Sequence, residues 1–338
     1  MTTAAATVPT CSGAMAGADL GVTLVHEHLF VTDPELDACL PHPEWDEERA
    51  VAAAVTQLEH LHALGVRTVV DLTVPGLGRN VARVRRVADQ VPVNIVVATG
   101  YYRTALAPFF ALNGPGLLVD GPDPLVELFL GDIENGIEGS GIRAGMIKIA
   151  SDAGGVTPDV ARVFAAAAVA HRRTGVPITT HSHSPSRGGL AQQDLLSDLG
   201  VPLDRVVIGH AGDSTEPGYV RRLADRGSWL GFDRFGMTHM QSDEARIRTL
   251  LDLLHAGYTD QLLLSHDAAV FSRITPPSWR AAHAPRWRMD TLHRAVLPRL
   301  RADGVDEATL TRLMVDNPRR LLTGEARSAI SGGIGAGG

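Results

Sequence analysis

Six residues able to hold a divalent cation stand at or just beyond apolar, β-branched runs of this chain: His26, His28, Lys148, His181, His210 and Asp267. Neutral imidazoles and a carboxylate are donors that first-row metal ions accept readily. His26 and His28 follow Thr23-Leu24-Val25, and a His-x-His spacing in a strand turns both rings to one side. Alone, that pair also fits surface or capping histidines. The others change the balance, because His181, His210 and Asp267 each follow an apolar run expected to be buried. Taking a polar group out of water without a partner is costly, and a shared cation is the economical compensation.

Lys148, in Met146-Ile147-Lys148-Ile149, fits this set poorly as an ammonium, which would be badly solvated and would repel metal ions. Carbamylation by carbon dioxide would make it an anionic oxygen donor able to bridge two cations. The alternative is a lysine whose head reaches the surface along an apolar stem.

Residues this far apart meet only if their elements converge. Short apolar runs at Thr23–Val25, Arg67–Leu72, Asn94–Thr99, Ala144–Ile149, Pro177–Thr180, Arg205–Gly209, Trp229–Phe232 and Gln261–Ser265 alternate with longer helical patterns. The helical candidates include Asp46–Leu64, Val81–Gln90, Pro158–Thr174, Gly188–Leu199, Glu216–Arg226 and Ser242–Ala256, with Gly65, Gly175, Gly200 and Gly227 as stops. Eight βα units predict an α/β fold of the (β/α)8 barrel (TIM barrel) type, in which residues at the C-terminal strand ends face one mouth. A doubly wound open sheet is the competitor, but it calls for a glycine-rich loop where this chain has His26, Glu27 and His28. One barrel domain over 18–325 is expected, between a flexible segment 1–17 and a flexible Gly-rich tail 326–338. The stretch Ala268–Arg288 reads as a long irregular loop of the kind that forms lids or substrate walls.

The chain has 338 residues, 44% hydrophobic and 20% charged, with a net charge of -7. That balance suits a soluble globular protein and leaves no basic face for nucleic acid. No apolar run reaches the ~18 residues of a membrane helix and no signal peptide opens the chain, so a cytoplasmic protein is expected. The two cysteines, Cys11 and Cys39, read as ordinary thiols.

The residues resemble the phosphotriesterase-like lactonases of the amidohydrolase superfamily over roughly 20–324. The markers are Val25-His26-Glu27-His28, Ile147-Lys148, Thr180-His181-Ser182-His183, Val207-Ile208-Gly209-His210, Gly231-Phe232-Asp233-Arg234-Phe235-Gly236, Ser265-His266-Asp267 and Asp316-Asn317-Pro318-Arg319-Arg320. The resemblance implies a binuclear centre, with His26, His28 and Asp267 on the more buried metal, His181 and His210 on the other, and carbamylated Lys148 as the bridge. Zinc is the leading candidate, with cobalt, manganese or iron as alternatives. It further implies attack by a metal-bridging hydroxide, with Asp267 as proton acceptor and later donor. Similar proteins are usually homodimers.

Within that family Arg234 stands where dedicated phosphotriesterases carry a histidine, which favours lactone opening. Tyr102 matches the phenol that positions a lactone ring, with Tyr101 the alternative. Each has a plainer reading: a half-buried packing tyrosine, and a rim salt bridge from Arg234 to Asp213. The expected substrates are N-acyl homoserine lactones or related γ- and δ-lactones, with weaker action on organophosphates. A dedicated aryldialkylphosphatase, a sugar or phosphosugar lactonase drawing on Arg273, Arg280, Arg286 and Arg288, and a barrel that only binds are the alternatives. His183 and His266 should point away from the site, and Asp71 or Asp213 could orient its ligands or merely cap. His42, His60, His62, His171, His239, His255, His283 and His293 are expected in solvent.

Overall fold

The structure is a computed structural model that describes residues 6–326. Residues 1–5 of the segment expected to be flexible lie outside the described residues, and the remainder is not loose. Strands β1 (Thr7–Thr10) and β2 (Gly13–Ala16) form an antiparallel hairpin, and Val8 is buried with Leu20, Leu321 and Leu322 across one end of the barrel. The hairpin is held from outside itself, with Cys11 N donating to the Ile95 carbonyl, so its Ala-, Thr- and Gly-rich sequence gives little sign of it. Most of the expected flexible tail, 327–338, lies outside the described residues.

The barrel strands follow as β3 (Val22–Val31), β4 (Val66–Asp71), β5 (Asn94–Tyr101), β6 (Met146–Ala150), β7 (Ile178–His181), β8 (Val206–Ile208), β9 (Trp229–Phe232) and β10 (Leu262–Leu264). Each pairs in parallel with the next. The ring closes between Asp267 N and the His26 carbonyl, and between His28 N and the Ala268 carbonyl, both 2.9 Å. This is the (β/α)8 barrel that the sequence rhythm implies. Helices at Glu47–Ala63, Val81–Ala88, Pro158–Thr174 and Asp243–His255 start at side-chain caps on Asp46, Asn80, Thr157 and Ser242, which satisfy amides the first turn cannot pair. The four stop glycines all take positive φ, from 75° to 100°.

Side chains sort by strand alternation. Val25, Val70, Val96, Met146, Val207, Trp229 and Leu263 pack together as the floor of the barrel. Leu24, Val69, Ile95, Ile147, Ile208, Leu230 and Leu262 belong to the larger cluster shared with the helices. Strand β3 breaks the alternation. Its register on β4 runs from Leu24↔Val69 to Glu27↔Asp71, so one extra residue is accommodated at Val25-His26. Such a bulge re-aims the side chains after it, and here both Val25 and His26 face inward.

The stretch 268–288 is more regular than expected. Strand β11 (Ala269–Ser272) pairs in parallel with the second half of β3, Ala269 opposite His28 and Phe271 opposite Phe30, and a short helix spans Pro277–His283. Burial explains the strand: Phe271 packs on Trp45 with ring centroids 4.6 Å apart. His26 and His28 therefore sit inside a ten-residue strand and not at its end.

Candidate metal centre

The six residues singled out from the sequence converge at the C-terminal mouth, where all of them line one cavity of about 310 Å³. His28 Nε2 lies 3.2 Å and His26 Nε2 3.4 Å from Asp267 Oδ1. These are close to the roughly 3.3 Å edge of a tetrahedron drawn around a cation with bonds of about 2.0–2.1 Å. His210 Nε2 lies 2.9 Å from His181 Nδ1 on the other side. A proton can bridge that pair of nitrogens, and a cation can take its place. The donor set therefore fits a metal.

Lys148 Nζ lies 3.1 Å from His26 Nε2 and lines the same cavity as both groups, and its side chain is buried. Burial lowers its pKa to about 8. About a tenth of such an amine is neutral at pH 7, compared with well under a thousandth of an ordinary lysine. Gly100 lets β5 approach here, because a Cβ there would lie 1.8 Å from the Lys148 carbonyl oxygen.

The ring nitrogens of His26, His210 and His28 that face away from the centre are anchored. Asp233, which the sequence reading quoted but gave no role, takes His26 Nδ1 at 2.7 Å on one oxygen, and His210 Nδ1 at 3.0 Å and His210 N at 2.8 Å on the other. Burial would raise its carboxyl, but the charges and hydrogen bonds of His210 and His26 hold it well below the usual carboxylate range. His26, His210 and Asp233 are close enough to be counted as a cation site of their own. Its use of the Nδ1 atoms marks Asp233 instead as the anchor that leaves both Nε2 lone pairs free. Gly209 and Gly231 make the room for it. His28 Nδ1 meets Thr73 Oγ1 at 3.0 Å, which donates to Asp71 at 2.6 Å, so Asp71 does orient a ligand candidate.

His210 and Asp267 both take left-handed backbone, φ 62° and 52°, a strained choice for non-glycine residues that clusters at functional sites. Alternation alone would send His210 outward beside Ile208; the turn brings it in.

Around this floor, Tyr102 Oη lies 3.1 Å from His181 Nδ1, and burial pushes its phenol up, so it stays protonated. Tyr101 is instead packed on Phe110, its hydroxyl accepting from Ala107 N. Arg234 does form the bridge to Asp213 of its plainer reading, at 3.0 Å, but its Nε also donates to Asp267 Oδ2 at 3.0 Å. Asp213 is held in turn by Arg246, which is fully buried. Burial opposes the charge of Arg234, yet Asp267 and Asp213 more than offset it and raise its pKa.

The rest of the cavity is lined largely by Val31, Leu77, Met237, Met240, Ile274 and Trp287. None of Arg273, Arg280, Arg286 and Arg288 lines it. Arg273 is tied to Asp37 and the Leu40 carbonyl, Arg280 to backbone carbonyls at Ala269, Val270 and Thr275, and Arg288 to Asp290. Five of the histidines expected in solvent are not free there: His171 is buried against the Val176 carbonyl, and His42, His60, His62 and His293 are half-buried.

The comparisons agree with this geometry. The model of the phosphotriesterase family matches residues 6–322. A phosphotriesterase homology protein of Mycobacterium tuberculosis is 45% identical over 92% of this chain and 96% of its own length. An aryldialkylphosphatase of Saccharolobus solfataricus is 35% identical over 90% of this chain and 96% of its own. The solved structure of the phosphotriesterase from M. tuberculosis superposes with a TM-score of 0.91 at 44% identity, covering 94% of this chain and 98% of that one. A barrel mouth with metal-compatible histidine and aspartate groups, matched along its length to these hydrolases, makes this chain a member of the phosphotriesterase family.

Proposed function

We propose that this hydrolase opens lactones, N-acyl homoserine lactones or related γ- and δ-lactones, and acts more weakly on organophosphates. The observation that carries the proposal is the pairing of the Tyr102 hydroxyl beside His181 with an apolar cavity wall. A lactone needs one hydrogen-bond donor near its ring oxygens and an apolar surface for its acyl chain, and both stand above the floor.

His26, His28 and Asp267 would hold one divalent cation, His181 and His210 a second, and carbamylated Lys148 both, with zinc the first choice. Two such cations, when bound, lower the pKa of a water to near neutrality and polarise the substrate oxygen. The chain's own residues do the rest. Asp267 Oδ1 faces the imidazoles, while Oδ2, held by Arg234, would take the proton of the attacking water and pass it to the leaving alkoxide. Burial would raise this carboxyl, but His26, His28 and Arg234 keep it well below the usual range, so it is an anion when substrate arrives. Tyr102, kept protonated, donates toward the substrate oxygen. The apolar side chains exclude water from the acyl half.

The aryldialkylphosphatase relative supports a second reading, phosphotriester hydrolysis as the main activity. A phosphosugar lactone fits less well, since its anionic group would find Arg234 already committed to two carboxylates. One metal-loaded preparation should be assayed on acyl-homoserine lactones, plain γ- and δ-lactones, aryl phosphotriesters and simple esters. Lactones are expected to give the highest kcat/KM; aryl phosphotriesters ahead by orders of magnitude would overturn the assignment.

A further inference from the structure

The barrel has a weak seam. Strand β10 ends at Leu264 and has no ladder with β3, which pairs instead with β4 and β11. Residues 265–268 fill the gap, and polar hydrogens of Ser265, His266 and Ala268 converge on one side chain. Glu27 Oε1 accepts from Ser265 Oγ at 2.8 Å, His266 N at 3.0 Å and His266 Nδ1 at 2.6 Å, and Oε2 accepts from Ala268 N at 3.0 Å. The Glu27 side chain is fully buried and does not line the cavity. Burying a carboxylate is expensive unless its lone pairs are met, and here the residues flanking Asp267 meet them.

Resting on the metal-centre reading above, we propose that Glu27 is a positioning residue that fixes the Asp267 carboxylate for metal binding. Asp267 lies in the middle of the clamped turn with φ 52°, a conformation an L-residue keeps only when its neighbours impose it. Glu27 imposes it from both sides, through Ser265 and His266 before Asp267 and Ala268 after it. That turn presents Oδ1 to His28 and Oδ2 to Arg234, at 3.2 and 3.0 Å. His266 is fixed in its turn, its Nε2 accepting from Leu292 N at 3.0 Å, so that Nδ1 carries the hydrogen given to Glu27. The sequence pattern Glu27…Ser265-His266-Asp267 thus acts as one unit spanning the closure of the barrel.

A carboxamide cannot replace this carboxylate, because its NH2 would face either Ala268 N–H or the donors of Ser265 and His266. Full-length Glu27→Gln, stripped of metal and titrated with Co2+, should stay folded by circular dichroism. Its affinity for the first Co2+ should fall about 10- to 100-fold against a competing chelator, with an altered visible spectrum of the bound ion. His266→Asn keeps a donor near the Nδ1 position and should stay within about threefold of wild type, whereas His266→Leu should follow Glu27→Gln. A purely structural role would lower the melting temperature and leave Co2+ affinity and spectrum of the folded protein unchanged. Folded Glu27→Gln with wild-type affinity and spectrum overturns the proposal. If that variant does not fold, wild-type affinity and spectrum in His266→Leu overturn it equally. A wild-type chain that takes up no Co2+ removes the metal centre and this role with it. One that binds Co2+ but opens no lactone removes only the substrate assignment and leaves the affinity comparison standing.

Discussion

The floor and the wall of the same cavity are built on opposite plans. On the floor, Asp233, Thr73, Glu27 and Arg234 hold the candidate ligands or their backbone by short hydrogen bonds, and nearly every participant is buried. The wall is made of Met237, Met240, Ile274 and Trp287, with Met240 59% and Ile274 73% exposed. Contacts on the floor are directional and mutually dependent; those on the wall are dispersive and separately replaceable. The difference teaches that chemistry and specificity can change independently in this protein.

Asp267→Asn tests the floor at its most demanding point and should give the largest effect. Turnover is expected to fall by about 10²–10⁴-fold with part of the metal retained, the loss typical of a missing acid–base group. Near-normal turnover in a metal-replete variant would reject the proton-transfer role. Asp233→Asn comes next. Because Asp233 anchors His26 in one ligand group and His210 in the other, both cations should bind about 10- to 100-fold more weakly. Weakening of one alone would show that the two halves of the floor are uncoupled.

The third expectation concerns pH. A lysine must be neutral to capture carbon dioxide, and Lys148 is protonated below its pKa of about 8. The initial rate of reassembly from metal-free protein, Zn2+ and bicarbonate should therefore rise with pH, at a fixed concentration of dissolved CO2. The rise should approach tenfold per unit below 8 and level off above it. A flat profile would mean that the bridging group is not a carbamate on this amine. The smallest effect belongs to the wall: Ile274→Ala should raise KM for long-chain lactones by about threefold, the loss from one partly exposed side chain, and leave kcat and short-chain KM unchanged. A fall in kcat would break the contrast by showing that the wall also shapes the floor.

Much of this was legible in the sequence because strand ends are marked by apolar runs and ligands by residue type. The eight strand sites and the histidine and aspartate candidates needed only those two signals, whereas Lys148 needed the family resemblance as well. Asp233 was visible as a polar residue leaving Trp229–Phe232, in the same manner as His210 after its own strand, and that signal could have found it. Its role could not be read, since being an anchor and not a ligand depends on which ring nitrogen it meets. Strand β11 was hidden because Ala269–Ser272 is short and gains its burial from partners distant in sequence, β3 and Trp45 among them. The arginines of the same stretch looked available for anions until Arg273 was found tied to Asp37 and the Leu40 carbonyl, and Arg280 to carbonyls of its own loop.

The sequence by itself determined the barrel and the order in which its strands deliver histidines, lysine and aspartate to one mouth. These follow from periodicity and side-chain chemistry, which are local properties. Only the tertiary structure decided where those groups point. A bulge at Val25-His26, left-handed backbone at His210 and Asp267, and the Glu27 clamp across the seam each override simple alternation. They do so because a strand's facing is fixed by its neighbours' hydrogen bonds, and those neighbours lie as many as 241 residues away in the chain.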